Sequence, residues 1–313
     1  LTPTATATPA PAAPPTQPPA GPGGAARPHG ATGQAVLPGV GSIWWPTDPQ
    51  PASVPLVVFL PDAPYYGAEA YGRWIEHLAR GGSMVFVPRL GDDPAAWRSD
   101  AASALRVALV WAEASSLPSI SSSGSTYSGE GAGALVAATL ASDWVTADLP
   151  VPRALFLAAP RRHAGAVPGD LRRVPRDALA LVVTGDEDPA ASAELERALW
   201  AGLAEIPGAW RQFIVVQSDR HGTRALLAGE GWARTYDTGA TTDALDWFGT
   251  WKWMDAVQSC ALWRRLCDHA LGDTPAQRDM GRWEDEVPVR EPLVRLDVPG
   301  VIVRSARFPV ALR

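Results

Sequence analysis

Apolar positions along the chain follow two periods in alternation. Short continuous apolar runs at residues 55–60, 84–88, 154–158, 179–184 and 212–217 suit strands buried on both faces, and residues 43–46 read as another early strand. Between them lie stretches with helical spacing. Tyr71, Trp74, Ile75 and Leu78 share one stripe in residues 68–80, which Gly81 and Gly82 terminate; Leu105, Leu109 and Ala112 do so in 100–114. Residues 133–141 and 190–203 are also predicted helical, and a serine-rich connection at 115–125 precedes the first of these. Strands alternating with helices predict an α/β fold with a mostly parallel central sheet flanked by helices.

This pattern does not cover the ends. Residues 1–34 are rich in Pro, Thr, Ala and Gly without apolar periodicity, which predicts an extended tail that cannot fold alone. Its threonines, Thr4 and Thr6 among them, allow O-linked glycans, and its polyproline character suits docking on a neighbouring subunit. Residues 35–289 form the expected α/β domain. Residues 290–313 read as a strand extension, with alternation at 293–298 and 301–304 around the turn signal Pro299-Gly300. Such a strand is suited to pairing with another chain. Self-association through both ends is therefore the expected partnership.

Charge and composition narrow the classes. A net charge of −6 without a basic cluster argues against nucleic acid, and no apolar run is long enough for a membrane-spanning helix. The start at Leu1, directly into a Pro- and Thr-rich tract, predicts an exported, extracellular or cell-surface protein. Export also favours a disulfide between Cys260 and Cys267. On one straight helix those residues would stand about 10 Å apart along the axis, so pairing requires the helix to end between them. Most of the 14 tryptophans are expected in the core.

The chemistry centres on the turn Tyr127-Ser128-Gly129-Glu130-Gly131-Ala132-Gly133-Ala134. In a G-x-S-x-G nucleophile elbow, small residues two before and two after the serine let a strand-to-helix turn close. Gly129 and Gly133 keep those positions, and Gly131 stands where the serine would be. Taking Ser128 as the nucleophile instead would put Thr126 and Glu130 at the small positions, where the glutamate obstructs the turn.

The segments IWWPTDPQPASVPLVVFLPD, YGRWIEHLARGGSMVFVP, SGEGAGALVAATLA, LVVTGDEDPA, VVQSDRHG, ALDWFGTWKWMDAVQSCAL and GRWEDEVPV, in this order, resemble the α/β-hydrolase superfamily. The resemblance is to secreted bacterial hydrolases of the dienelactone hydrolase and chlorophyllase-like type, over about residues 43–289. It implies a degenerate triad of Gly131, Asp188 and His221. It also implies an oxyanion region made by Ala132 and the loop that begins Pro61-Asp62, where a carboxylate would repel a developing oxyanion. Asp186, Glu187, Asp188, Asp219 and His221 match no tight ligand spacing, so neither a metal nor a cofactor is expected. His77 and His163 read as ordinary polar residues.

A catalytically inactive, secreted protein of this fold, serving as a structural subunit of a filament or surface layer, is the leading expectation. Two alternatives remain open. One is an ester hydrolase with an atypical nucleophile or a water activated by His221; the other is a ligand-binding module using a pocket enlarged by the missing side chain at Gly131.

Overall fold

The computed structural model describes residues 11–63, 65–163, 170–190, 192–235 and 241–295. Nine strands form one sheet: β1 Ala31–Leu37, β2 Gly41–Thr47, β3 Ser53–Leu60, β4 Met84–Pro88, β5 Ser119–Glu130, β6 Pro152–Ala158, β7 Leu179–Gly185, β8 Arg211–Val216 and β9 Leu293–Arg295. Their order is β1-β2-β4-β3-β5-β6-β7-β8-β9. The block from β4 to β8 is parallel throughout, while β2 runs antiparallel to β4 and β9 antiparallel to β8.

The apolar strands are continuous because helices cover both faces. Leu56, Val58 and Leu60 of β3 belong to the buried cluster on one face, together with Trp97 and Leu105 of α2 Trp97–Ala114, Leu135 of α3 Ala132–Ser142 and Leu199 of α4 Ala193–Gly202. Val57 and Phe59 face the other way. They join Trp74 and Leu78 of α1 Gly72–Arg80 and Trp253 and Met254 of α5 Trp251–Trp263. Trp74, Trp97, Trp253 and Trp283 are fully buried.

Two boundaries differ from the expected ones. The serine-rich stretch is not a connection: Ser119 already pairs with Ser53, and β5 runs twelve residues to Glu130 with a register shift opposite Val54 and Leu56. Pairing with β3 already begins at Ser119, and from Ser125 onward β5 is paired on both sides and buried. The boundary placed between residues 34 and 35 falls inside β1, whose Ala31 pairs with Thr47.

The tail was expected to need a neighbour for its order, and from residue 11 onward it finds partners on its own domain instead. Ala12 is buried, and its carbonyl accepts from the Thr223 N–H at 2.8 Å. Ala13 exchanges hydrogen bonds with Glu284. Further along, the Asp255 carboxylate accepts from the Gly23 N–H at 2.8 Å and from Arg27 Nη2 at 2.5 Å. Thr4 and Thr6 lie outside the described residues, as does the strand expected at 301–304; of the one expected at 293–298, Leu293–Arg295 is β9.

Helix α5 ends at Trp263, where Arg264 adopts a left-handed conformation (φ 57°), and a short helix resumes at Cys267–Ala270. This break folds the chain back and allows the Cys260–Cys267 disulfide, with Cα atoms 4.8 Å apart. No helix among the described residues is long and apolar enough to cross a membrane.

Candidate active site

Strand β5 ends at Glu130 and α3 begins at Ala132, so Gly131 makes the whole turn. It does so at φ 61°, ψ −126°, a conformation open to glycine and strained for other residues. The turn is also tight. A Cβ on Gly133 would meet the Leu60 carbonyl oxygen at 2.3 Å, so β3 and α3 touch only because that side chain is missing. Ser128 lies back in the strand, buried, and its Oγ has no hydrogen-bond partner among the described residues.

The space beside Gly131 is filled. A Cβ built there would lie 2.3 Å from both Cγ and Oδ1 of Asp62. The same Oδ1 accepts the Ala132 N–H at 2.9 Å. Asp62 follows β3, and Arg161, which follows β6, clamps its carboxylate: Nε lies 3.0 and 2.8 Å from the two oxygens, and Nη2 lies 2.6 Å from Oδ2. The Arg161 N–H in turn donates to the Gly131 carbonyl at 3.2 Å. A bidentate ion pair, with Asp62 buried and Arg161 partly exposed, thus sits where a reacting acyl group would need room, and the enlarged pocket expected from the absent side chain is not open at this point.

Beneath the ion pair lies a second carboxyl group. Tyr71 Oη donates to Glu130 Oε2 at 2.5 Å and accepts the Asp62 N–H at 3.1 Å. Burial, reinforced by the nearby Asp62 charge, pushes the Glu130 pKa up to about 8, against the opposing pull of Tyr71, Arg234 and Arg161. Arg234 also stacks over the Tyr66 ring, 4.0 Å from its centroid.

The acid and the histidine of the implied triad do not meet. Asp188, in the loop after β7, accepts the Ala190 N–H at 2.9 Å, and burial raises its pKa within the field of Glu230, Arg161 and Asp62. His221, in the loop after β8, places Nε2 at 2.8 Å from Asp285 Oδ2 and its ring 5.6 Å from Trp283. Asp285 is held below the ordinary carboxylate range mainly by that hydrogen bond. The neighbouring acids are engaged as well: Asp186 accepts from the Ser218 N–H and Oγ, and Glu187 pairs with Arg220.

Three functional-looking groups carried no signal in the sequence. Arg161 stands in an unremarkable Pro-Arg-Arg stretch, and Asp285 is remote in sequence from His221. His77 is not an ordinary surface histidine. It is buried, with Nε2 at 3.0 Å from Asp255 Oδ2 and Nδ1 accepting from Arg27 Nε at 3.2 Å. His163 packs its ring 5.0 Å from Trp97.

No protein-family model matches the chain, and no curated protein matches it in sequence.

Proposed function

We propose that this is a catalytically inactive protein of the α/β-hydrolase type, exported from the cell, that serves as a structural or assembly subunit. The chain order supports the family reading: an elbow after β5, an acid after β7 and a histidine after β8, with the remaining oxyanion loop after β3. The observation that carries the loss of catalysis is the Asp62 carboxylate. It lies within 2.3 Å of where a nucleophile's Cβ would stand and accepts the Ala132 N–H that would otherwise stabilise an oxyanion. A nucleophile at the elbow would find the Ala132 N–H already taken by Asp62. The Cys260–Cys267 disulfide favours an oxidising compartment.

Two measurements on the purified chain test this. A serine-directed fluorophosphonate probe is expected to leave the protein unlabelled, and short acyl esters are expected to hydrolyse at the background rate. Stoichiometric labelling would refute the inactive reading. Electron microscopy of the native material tests the second half, with regular fibres or sheets expected and dispersed monomers telling against it.

A further inference from the structure

The two edges of the sheet are treated differently. Strand β9 carries the charge of Arg295 at its described end, and a charged edge resists pairing. Strand β1 has no such protection. Its seven residues, Ala-Thr-Gly-Gln-Ala-Val-Leu, include no charge and no proline, and its pairing with β2 runs from Ala31↔Thr47 to Leu37↔Gly41 without a bulge. Among the described residues no strand pairs with its outer side. Val36 is 68% exposed. An edge of this length and regularity is a template for an added strand.

The chain carries a segment suited to that template. Residues 301–313 (VIVRSARFPVALR) begin with three β-branched residues and hold Arg304, Arg307 and Arg313 with no acidic residue, in a chain whose net charge is −6. One end of β1 offers the opposite sign: Asp48, next to the Thr47 that pairs with Ala31, is exposed, whereas at the other end the cleft beside Val36 and Leu37 is lined by both Glu69 and Arg89.

Reach decides which copy supplies the segment. Eight strand spacings separate β9 from β1, about 38 Å. Val301 follows Arg295 by six residues, which span at most ~22 Å when fully extended. The β-branched start of the segment, residues 301–303, therefore cannot lie on the β1 edge of its own chain.

We infer that the 301–313 segment of one copy adds as a strand to the outer edge of β1 on a second copy. This rests on the assembly role proposed above and gives it a route. Because donor segment and acceptor edge are different surfaces, the contact is heterologous, and repetition builds an open chain of copies unless the rotation closes a ring.

The test is sedimentation velocity of the full chain over a wide concentration range, beside Val36→Lys and a chain ending at residue 298. Val36 is exposed, so the lysine blocks the edge without entering the core, and circular dichroism checks the fold of each variant. The full chain is expected to form oligomers that grow with concentration, and each variant is expected to stay monomeric. Mixed together, the two variants are expected to stop at dimers, since one retains only the segment and the other only the edge. Oligomers that persist in both variants would overturn the strand route and leave the assembly role standing. A full chain that stays monomeric at every concentration would overturn both, whereas failure of the inactive-site reading is scored separately by probe labelling.

Discussion

Asp62 and Ala132 are joined by a hydrogen bond from the backbone N–H at the start of α3 to a carboxylate oxygen, at 2.9 Å. A protein side chain thus takes the place of the negative charge that such a turn would stabilise during acyl transfer. Arg161 closes the arrangement from the other side. Reversing it requires more than supplying a hydroxyl.

Gly131→Ser is expected to destabilise the fold by about 1–3 kcal/mol, because serine must take a positive φ and its Cβ must displace the Asp62 carboxyl group. Esterase activity should stay at background. Adding Asp62→Gly should recover part of the stability, since it removes the overlap. Chemical denaturation of the single and double variants measures both effects, and an active single variant would contradict the blocked geometry.

Replacing Arg161 with methionine leaves the buried Asp62 carboxylate without its counter-ion. A loss of about 3 kcal/mol is expected. The pair Asp62→Ala and Arg161→Met should cost less than the sum of the singles, because the second change removes the charge that the first strands. Additive costs in the double-mutant cycle would show that the two side chains do not act together.

Glu130 gives a pH signature. Burial, with the Asp62 charge adding to it, raises its folded pKa from the usual carboxylate value to about 8, so the native state holds the proton more tightly than the unfolded chain. That contribution is complete below the unfolded value near 4.5 and is lost as pH rises through 8. Glu130→Gln, neutral at every pH, should flatten the decline in melting temperature between about pH 5 and 9. An identical decline in the variant would place its origin elsewhere.

Reduction of Cys260–Cys267 should lower stability by roughly 2–3 kcal/mol, as expected for a short closed loop. Melting curves with and without reductant, beside a Cys260→Ala, Cys267→Ala chain, provide the measurement. Equal stability of all three would mean that the helix break at Arg264 holds without the bond.

Sequence periodicity captured what depends on neighbours along the chain. The two-faced apolar strands and the stripe Tyr71, Trp74, Ile75 and Leu78 announced the sheet and α1, because burial on a repeating element leaves a repeating pattern. The glycine triplet 129, 131 and 133 announced the elbow for the same local reason. Strand β1 was hidden: Ala31, Thr32 and Gly33 look like tail, and only pairing with β2 makes them strand. The ion pair was half visible. Asp62 was expected near Ala132, but Arg161 follows a different strand, and nothing local to it records the distance. His77 shows the limit most clearly, since its partners come from the tail and from α5, 50 and 178 residues away in sequence.

That histidine leads to the last prediction. Its Nδ1 accepts from Arg27 Nε, which places the ring proton on Nε2, facing Asp255. Burial lowers its pKa, outweighing Asp255, and Arg27 and Arg80 push in the same direction. The ring also packs 4.5 Å from Trp251. A folded pKa below 6.5 means that this contribution to stability is present above 6.5 and is lost as pH falls through the folded value. Protonation would turn Nδ1 from an acceptor into a donor facing another donor, Arg27. The tail around Gly23 and Arg27, which reaches the domain through Asp255 and His77, should therefore loosen before the rest of the fold on acidification. Hydrogen exchange read peptide by peptide from about pH 7.5 to 5, corrected for the intrinsic pH dependence of exchange, should show residues 21–28 losing protection while β5 and β6 keep theirs. His77→Gln should retain less protection at neutral pH and show a smaller change with acid. Equal protection across the range, or the same acid response in His77→Gln, would remove the histidine from any role in holding the tail.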